Sequence, residues 1–145
     1  MFQMISLRDR LTKLCEKSAV TALYAFGSRA KEAVESLGGD APMRRDTISD
    51  LDIGVLVSRE THLDVRQKAS LIAKLEDLFD VGRVDLVVLP EASAFLALDV
   101  LRGELLVDLD PDETARFELY VLRRAGDLSF FERQRRSMVL NEGAV

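Results

Sequence analysis

Two carboxylates two residues apart, Asp50 and Asp52, stand at the mouth of the otherwise apolar run Leu51–Val57. The apolar and β-branched composition of that run predicts a strand, and in a strand residues i and i+2 share a face. The two Cα atoms would then lie about 6.6 Å apart, close enough for both side chains to converge on one cation or a pair of cations. Without a cation they repel. Short motifs recur by chance, so an isolated Asp-x-Asp is first of all a solvated strand entrance. Corroboration has to come from elsewhere in the chain.

Two other places supply it. The apolar run Val20–Phe26 is followed at once by Gly27-Ser28 and by a helix-forming stretch over residues 29–35. A glycine there lets the backbone turn tightly and approach a ligand. Ser28 could cap the helix or turn its hydroxyl toward an anion, and a helix N-terminus is a natural seat for phosphate. The same Gly-Ser also serves as an ordinary strand-to-helix turn. Downstream, residues 84–89 read as another apolar strand closed by Pro90, with Asp85 near its entrance. An acid inside an apolar strand calls for a reason, because burying an unpaired carboxylate is costly and three adjacent ones need a counter-charge.

The elements that must hold these residues follow from periodicity. Leu7, Leu11, Leu14 and Cys15 recur at helical spacing and predict an amphipathic first helix. Residues 37–47 have a loop composition. Val65, Ala69, Ile72, Leu75 and Phe79 predict a crossover helix face, widened by Leu71 and Leu78. Strand, helix and strand with short links make a βαβ unit, so the strands carrying Asp52 and Asp85 should be parallel near neighbours, with the three aspartates side by side. Residues 92–101 predict a further helix, and residues 104–109 a short strand at the sheet edge. From Asp112 a long helical pattern begins, with Phe117, Tyr120, Val121 and Leu128 as its buried face and Gly126 interrupting it.

Composition narrows the rest. At 145 residues and 48% hydrophobic, the chain is expected to form a single domain over 1–145. A net charge of -5 argues against broad, salt-driven nucleic-acid binding. Cys15 is the only cysteine, which excludes an internal disulfide and a cysteine-based zinc cluster. With no signal-peptide pattern and no apolar run of membrane-spanning length, a cytoplasmic location is expected. His62 has no partner in sequence and reads as a surface residue. Between Arg116 and Arg136 six arginines face three acids, so this stretch of the helical C-terminal segment, residues 111–145, is locally basic. Most such charge runs are solvated faces; the sharper reading is partner docking, with Phe130 and Phe131 as anchors.

The conjunction of Gly27-Ser28 after one strand, Asp50-x-Asp52 on the next and Asp85 on a third resembles the polymerase β-like nucleotidyltransferase superfamily, and most of all its minimal single-domain members. The resemblance spans about residues 20–89. It implies an α/β (α+β) fold, a mixed sheet flanked by helices. It implies ATP and two magnesium ions, with Gly27 and Ser28 holding the triphosphate, Asp50 and Asp52 the metals, and Asp85 completing the metal site near the attacking hydroxyl. Minimal members serve as antitoxins that silence a HEPN ribonuclease partner by attaching AMP to a tyrosine, so a hetero-oligomer with such a partner is expected. The chain has no Arg-x4-His of its own, since Val57 stands five residues before His62. Two departures stand out: 21 residues separate Ser28 from Asp50, an insertion over 35–48, and no RNA-binding or drug-recognition domain is attached. The alternatives are an antitoxin that acts by occlusion, with vestigial carboxylates, and a small-molecule nucleotidyltransferase.

Overall fold

The computed structural model describes residues 5–39, 42–44 and 49–143. Five helices and four strands follow in the order α1 (Leu7–Lys17), β1 (Val20–Phe26), α2 (Ala30–Leu37), β2 (Leu51–Val57), α3 (Val65–Phe79), β3 (Val84–Val88), α4 (Ala94–Leu101), β4 (Glu104–Asp108) and α5 (Pro111–Gly143). The strands form one sheet in the order β3-β2-β1-β4. β1 runs antiparallel to both its neighbours, while β2 and β3 are parallel, as the βαβ reading requires. The sheet is therefore mixed, and β4 is an edge strand as expected.

Helices cover both faces, which is why the strands read as almost continuous apolar runs. On one face Leu23, Ala25, Leu51, Ile53 and Val55 meet Leu11, Leu14 and Cys15 of α1, Ala33 and Leu37 of α2, and Leu71, Leu75, Leu78 and Phe79 of α3. On the other, Ala22, Tyr24 and Leu56 meet Ala97 and Val100 of α4 and Val121 of α5. Cys15 is a core residue, its thiol pushed up to about 12 by burial, and so stays a neutral packing group. Tyr24 ties the sheet to α5 by donating its hydroxyl to Glu118 Oε1 at 2.7 Å.

Several expected faces shift. The buried stripe of α3 runs through Leu71, Leu75, Leu78 and Phe79, and Val65 and Ala69 are exposed. Asp64 caps this helix with Gln67 in a reciprocal capping box, so its first turn is held by polar contacts and Val65 is left outside the core. On α5 the buried residues are Thr114, Val121 and Ala125, with Phe117 half-buried, whereas Tyr120 and Leu128 face solvent. Gly126 does not interrupt α5. A single glycine costs a helix about 1 kcal/mol relative to alanine, which its helix-forming neighbours offset. His62 is exposed just before α3, as expected. The insertion is only partly loop, since residues 35–37 belong to α2 and Met43 is buried in the core. Its residues 40, 41 and 45–48 lie outside the described set.

Candidate active site

Because β1 is antiparallel to β2 and β2 parallel to β3, the end of β1 meets the beginnings of β2 and β3. Phe26 pairs with Asp52, and Asp52 pairs in register with Asp85. Residues in register on adjacent strands point to the same face. Asp52 and Asp85 thus lie together on the α4–α5 side, at the end of the sheet. Asp50 enters just before β2, with Arg83 Nε 3.6 Å from its Oδ2. Arg83 is 79% exposed, so this ion pair is a weak one that a stronger cation could displace.

Gly54 explains why that end is uncovered where it is. A Cβ at Gly54 would lie 2.3 Å from Val100 Cγ1, so α4 crosses β2 almost in contact with its backbone. Two residues earlier, Asp52 is beyond the helix and half-buried, and Asp85 is exposed. The expectation that Asp85 is buried needs correction: it stands at the open end of an edge strand and pays no burial cost. The repulsion argument holds in a narrower form. Partial burial first, then the charges of Asp85 and Asp50, raise the Asp52 carboxyl above its ordinary range.

Gly27 takes φ +74°, a left-handed conformation that favours glycine, and a Cβ there would fall 2.5 Å from Asp52 Oδ2. The turn is therefore folded directly onto the carboxylate. Ser28 is exposed within a short 3-10 turn over Gly27–Arg29, and α2 begins only at Ala30 with no side-chain cap. The capping alternative for Ser28 is thus ruled out by the turn geometry. Gly27, Ser28, Asp50, Asp52 and Asp85 all gather at one end of the sheet. Among the described residues no three Asp, Glu, His or Cys side chains close tightly enough to cage a metal ion by themselves. A cleft of about 650 Å³ opens at the other end, lined by residues including Thr21, Val57, Arg59, Pro90, Arg116 and Tyr120, and holds none of the five.

One residue went unnoticed in sequence. Arg29 is 4% exposed, and its guanidinium donates to the carbonyls of Ser49 and Arg44 and pairs with Glu32. That Arg29 hydrogen bond in turn holds the Glu32 carboxyl below its ordinary range. Nothing in local composition separates such a buried arginine from a solvated one; its place immediately after Gly27-Ser28 is the only hint.

The strain at Asp52 has a measurable consequence. With its folded pKa above the unfolded value, the native state binds more protons between the two, so stability falls as pH rises through that window and stays lowered above it. Asp52→Asn removes the charge. In metal-free buffer it is expected to raise Tm by about 1–4 °C near neutral pH. The gain should vanish once pH drops below the ordinary carboxylate range, where Asp52 is protonated in both states. Differential scanning fluorimetry across pH checks it, and a gain that persists in acid contradicts this account of Asp52.

A mixed sheet covered on both faces, with acidic strand entrances meeting a glycine turn at one open end, is the architecture of a nucleotidyltransferase domain. The chain belongs to the polymerase β nucleotidyltransferase family, whose model matches residues 9–112. No curated protein is significantly similar to the chain in sequence. Among solved structures it is similar to a mutant of the toxin–antitoxin MntA–HpeT, at 23% identity over 92% of this chain and 96% of the other, TM-score 0.61. It is also similar to a toxin–antitoxin with AMP-PNP, at 24% identity over 92% and 96%, TM-score 0.60. A third is a tri-AMPylated Shewanella oneidensis HEPN toxin in complex with MNT antitoxin, at 22% identity over 93% and 94%, TM-score 0.57. At these identities the likenesses establish the fold.

Proposed function

We propose that this nucleotidyltransferase moves AMP from ATP, with magnesium, to the hydroxyl of a tyrosine on a HEPN-type ribonuclease partner, and so acts as its antitoxin. The observation that carries the reading is the in-register pair Asp52 and Asp85 with Gly27 folded against Asp52. Support for the acceptor comes from the Shewanella oneidensis complex, whose HEPN toxin is AMPylated.

The donor set fits magnesium. Carboxylates are the hard oxygen ligands it prefers, a cation would offset the partial burial and the like charges that raise Asp52, and magnesium commonly takes one or two carboxylates and completes its shell with substrate phosphates and water. An open site is therefore what the chemistry asks for. Asp50 and Asp52 would hold the ions, with Asp85 beside them. When bound, magnesium supplies charge stabilisation to the entering and leaving oxygens. Gly27 and Ser28 would seat the triphosphate, backbone to phosphate. In the transfer the acceptor oxygen bonds to the α-phosphorus, the bond to the bridging oxygen of the β-phosphate breaks, and pyrophosphate leaves. Asp85, exposed and beside Asp52, would accept the hydroxyl proton.

The C-terminal segment, residues 111–145, would dock the partner. On α5 Leu119, Leu122, Phe130, Phe131 and Met138 are all exposed, an apolar series among arginines. That series also favours the second reading, inhibition by occlusion. No helix among the described residues is long and apolar enough to cross a membrane. The test is to incubate the chain with α-labelled ATP, magnesium and the HEPN-type protein encoded beside it. Label on a partner tyrosine is expected. A complex that forms and silences the ribonuclease with no label moved overturns transfer in favour of occlusion.

A further inference from the structure

Arg29 lies at the end of the Gly27–Arg29 turn, and its partners are Glu32 on α2, Arg44 within the insertion and Ser49 just after it. Its Nη1 donates to the Ser49 carbonyl at 3.2 Å, the residue immediately before Asp50. Its Nη2 donates to the Arg44 carbonyl and pairs with Glu32 Oε2 at 3.2 Å. Glu32 completes the clamp from the first turn of α2: Oε2 accepts from the Arg44 backbone N–H at 3.3 Å and Oε1 pairs with the Arg44 guanidinium at 3.3 Å. The insertion is thus fastened to the turn at Arg44 and again at Ser49. Arg29 Nε finds no partner among the described residues, although the side chain is buried.

A buried guanidinium is an expensive way to hold a loop, since taking its charge out of water carries a desolvation penalty. A purely structural tie could be apolar, as Met43 already is in the same segment. What the guanidinium adds is direction. Its planar fork reaches two carbonyls and a carboxylate at once, and so fixes the peptide planes on which they sit. The Ser49 carbonyl is one of those planes, and its rotation sets where the Asp50 side chain points.

We propose that Arg29 is the positioning residue for Asp50, acting through the Ser49 carbonyl, so that the glycine turn and the carboxylate pair are set by one side chain. The inference rests on the metal-dependent reading of the aspartates given above and adds to it the residue that orients one of them. Arg29 touches neither substrate nor reacting atoms. Its loss should therefore show first in cation affinity and only through that in rate, as groups that orient metal ligands typically change metal affinity by about 10–100-fold.

The experiment measures Mn2+ binding by electron paramagnetic resonance, in the presence of a non-hydrolysable ATP analogue, for wild type, Arg29→Met, Arg29→Lys and Asp52→Asn. Arg29→Met is expected to weaken Mn2+ binding about tenfold per folded molecule, and Arg29→Lys, which keeps the charge but not the fork, by an intermediate factor. Arg29→Met with wild-type Mn2+ affinity overturns the proposal, whatever happens to its melting temperature. Should Arg29→Met fail to fold, Arg29→Lys decides: weaker Mn2+ binding supports positioning, unchanged binding overturns it. Wild type and Asp52→Asn that both bind no Mn2+ bring down the metal reading itself, and this proposal with it.

Discussion

Asp52→Asn is expected to abolish label transfer, by at least about 10³-fold in single-turnover rate, while the same substitution makes the metal-free protein more stable. The two signs come from one cause. Asp52 is held half-buried between Asp50, Asp85 and the Gly27 turn, where its charge is unwelcome until a cation is present. A ligand that neutralises several kcal/mol of developing charge in the transition state cannot be replaced by a neutral amide, and about 4 kcal/mol corresponds to the rate loss stated. Asp50→Asn should lose activity similarly but gain less stability. It forfeits the Arg83 pair as well as the repulsion, and exposed pairs are worth between zero and about 1 kcal/mol. Rates would be read under single turnover with α-labelled ATP, and stability by thermal melting of the same preparations. ATP with magnesium should raise the Tm of wild type and leave both variants unmoved. Transfer that survives both substitutions would remove the aspartates from the chemistry. If Asp52→Asn lowers stability in metal-free buffer, the carboxylate is instead a structural hydrogen-bond acceptor.

How much of this could be read from the chain depends on the range of the interactions involved. The nearness of Asp85 to Asp52 was legible because two almost continuous apolar runs, joined by one amphipathic helix, leave the parallel neighbour arrangement as the simplest topology. The Gly27 turn was legible as a turn. Its pressure on Asp52 was not, because the contact crosses 25 positions of sequence and depends on the antiparallel pairing of Phe26 with Asp52. Burial of Arg29 was hidden for the same reason: its partners Arg44 and Ser49 lie 15 and 20 residues away. Helix faces differ from the expected ones at Val65, where polar capping holds the first turn, and at Tyr120, which faces solvent. In each case hydrophobicity located the helix but gave its orientation only to within a residue. Asp85 is the instructive error. Periodicity placed it inside a strand, and only the edge position of β3 and the crossing of α4 at Gly54 show that it stays in solvent.

Gly27→Ala should damage both the fold and the site. Two penalties coincide at this position. A left-handed φ of +74° costs a non-glycine residue about 1 kcal/mol, and the added Cβ would sit 2.5 Å from Asp52 Oδ2, so the carboxylate or the turn must give way. Together they are expected to destabilise the fold by about 2–3 kcal/mol in urea denaturation. Displacing Asp52 by about 1 Å should slow transfer about 100-fold, on the scale by which misplacements of reacting groups are felt. The two penalties can be separated, because only one of them involves Asp52. In an Asp52→Ala background the clash partner is gone, so Gly27→Ala should then cost about 1 kcal/mol, the backbone share alone. The double-mutant cycle is thus expected to show a coupling of about 1–2 kcal/mol, well above the additivity limit of about 0.5 kcal/mol for independent sites. Additive costs would mean that the turn and the carboxylate do not press on each other, and the geometric basis of the candidate site would go with them. A large coupling with unimpaired transfer in Gly27→Ala would instead show that Asp52 tolerates displacement, which a ligand of a geometry-demanding ion should not.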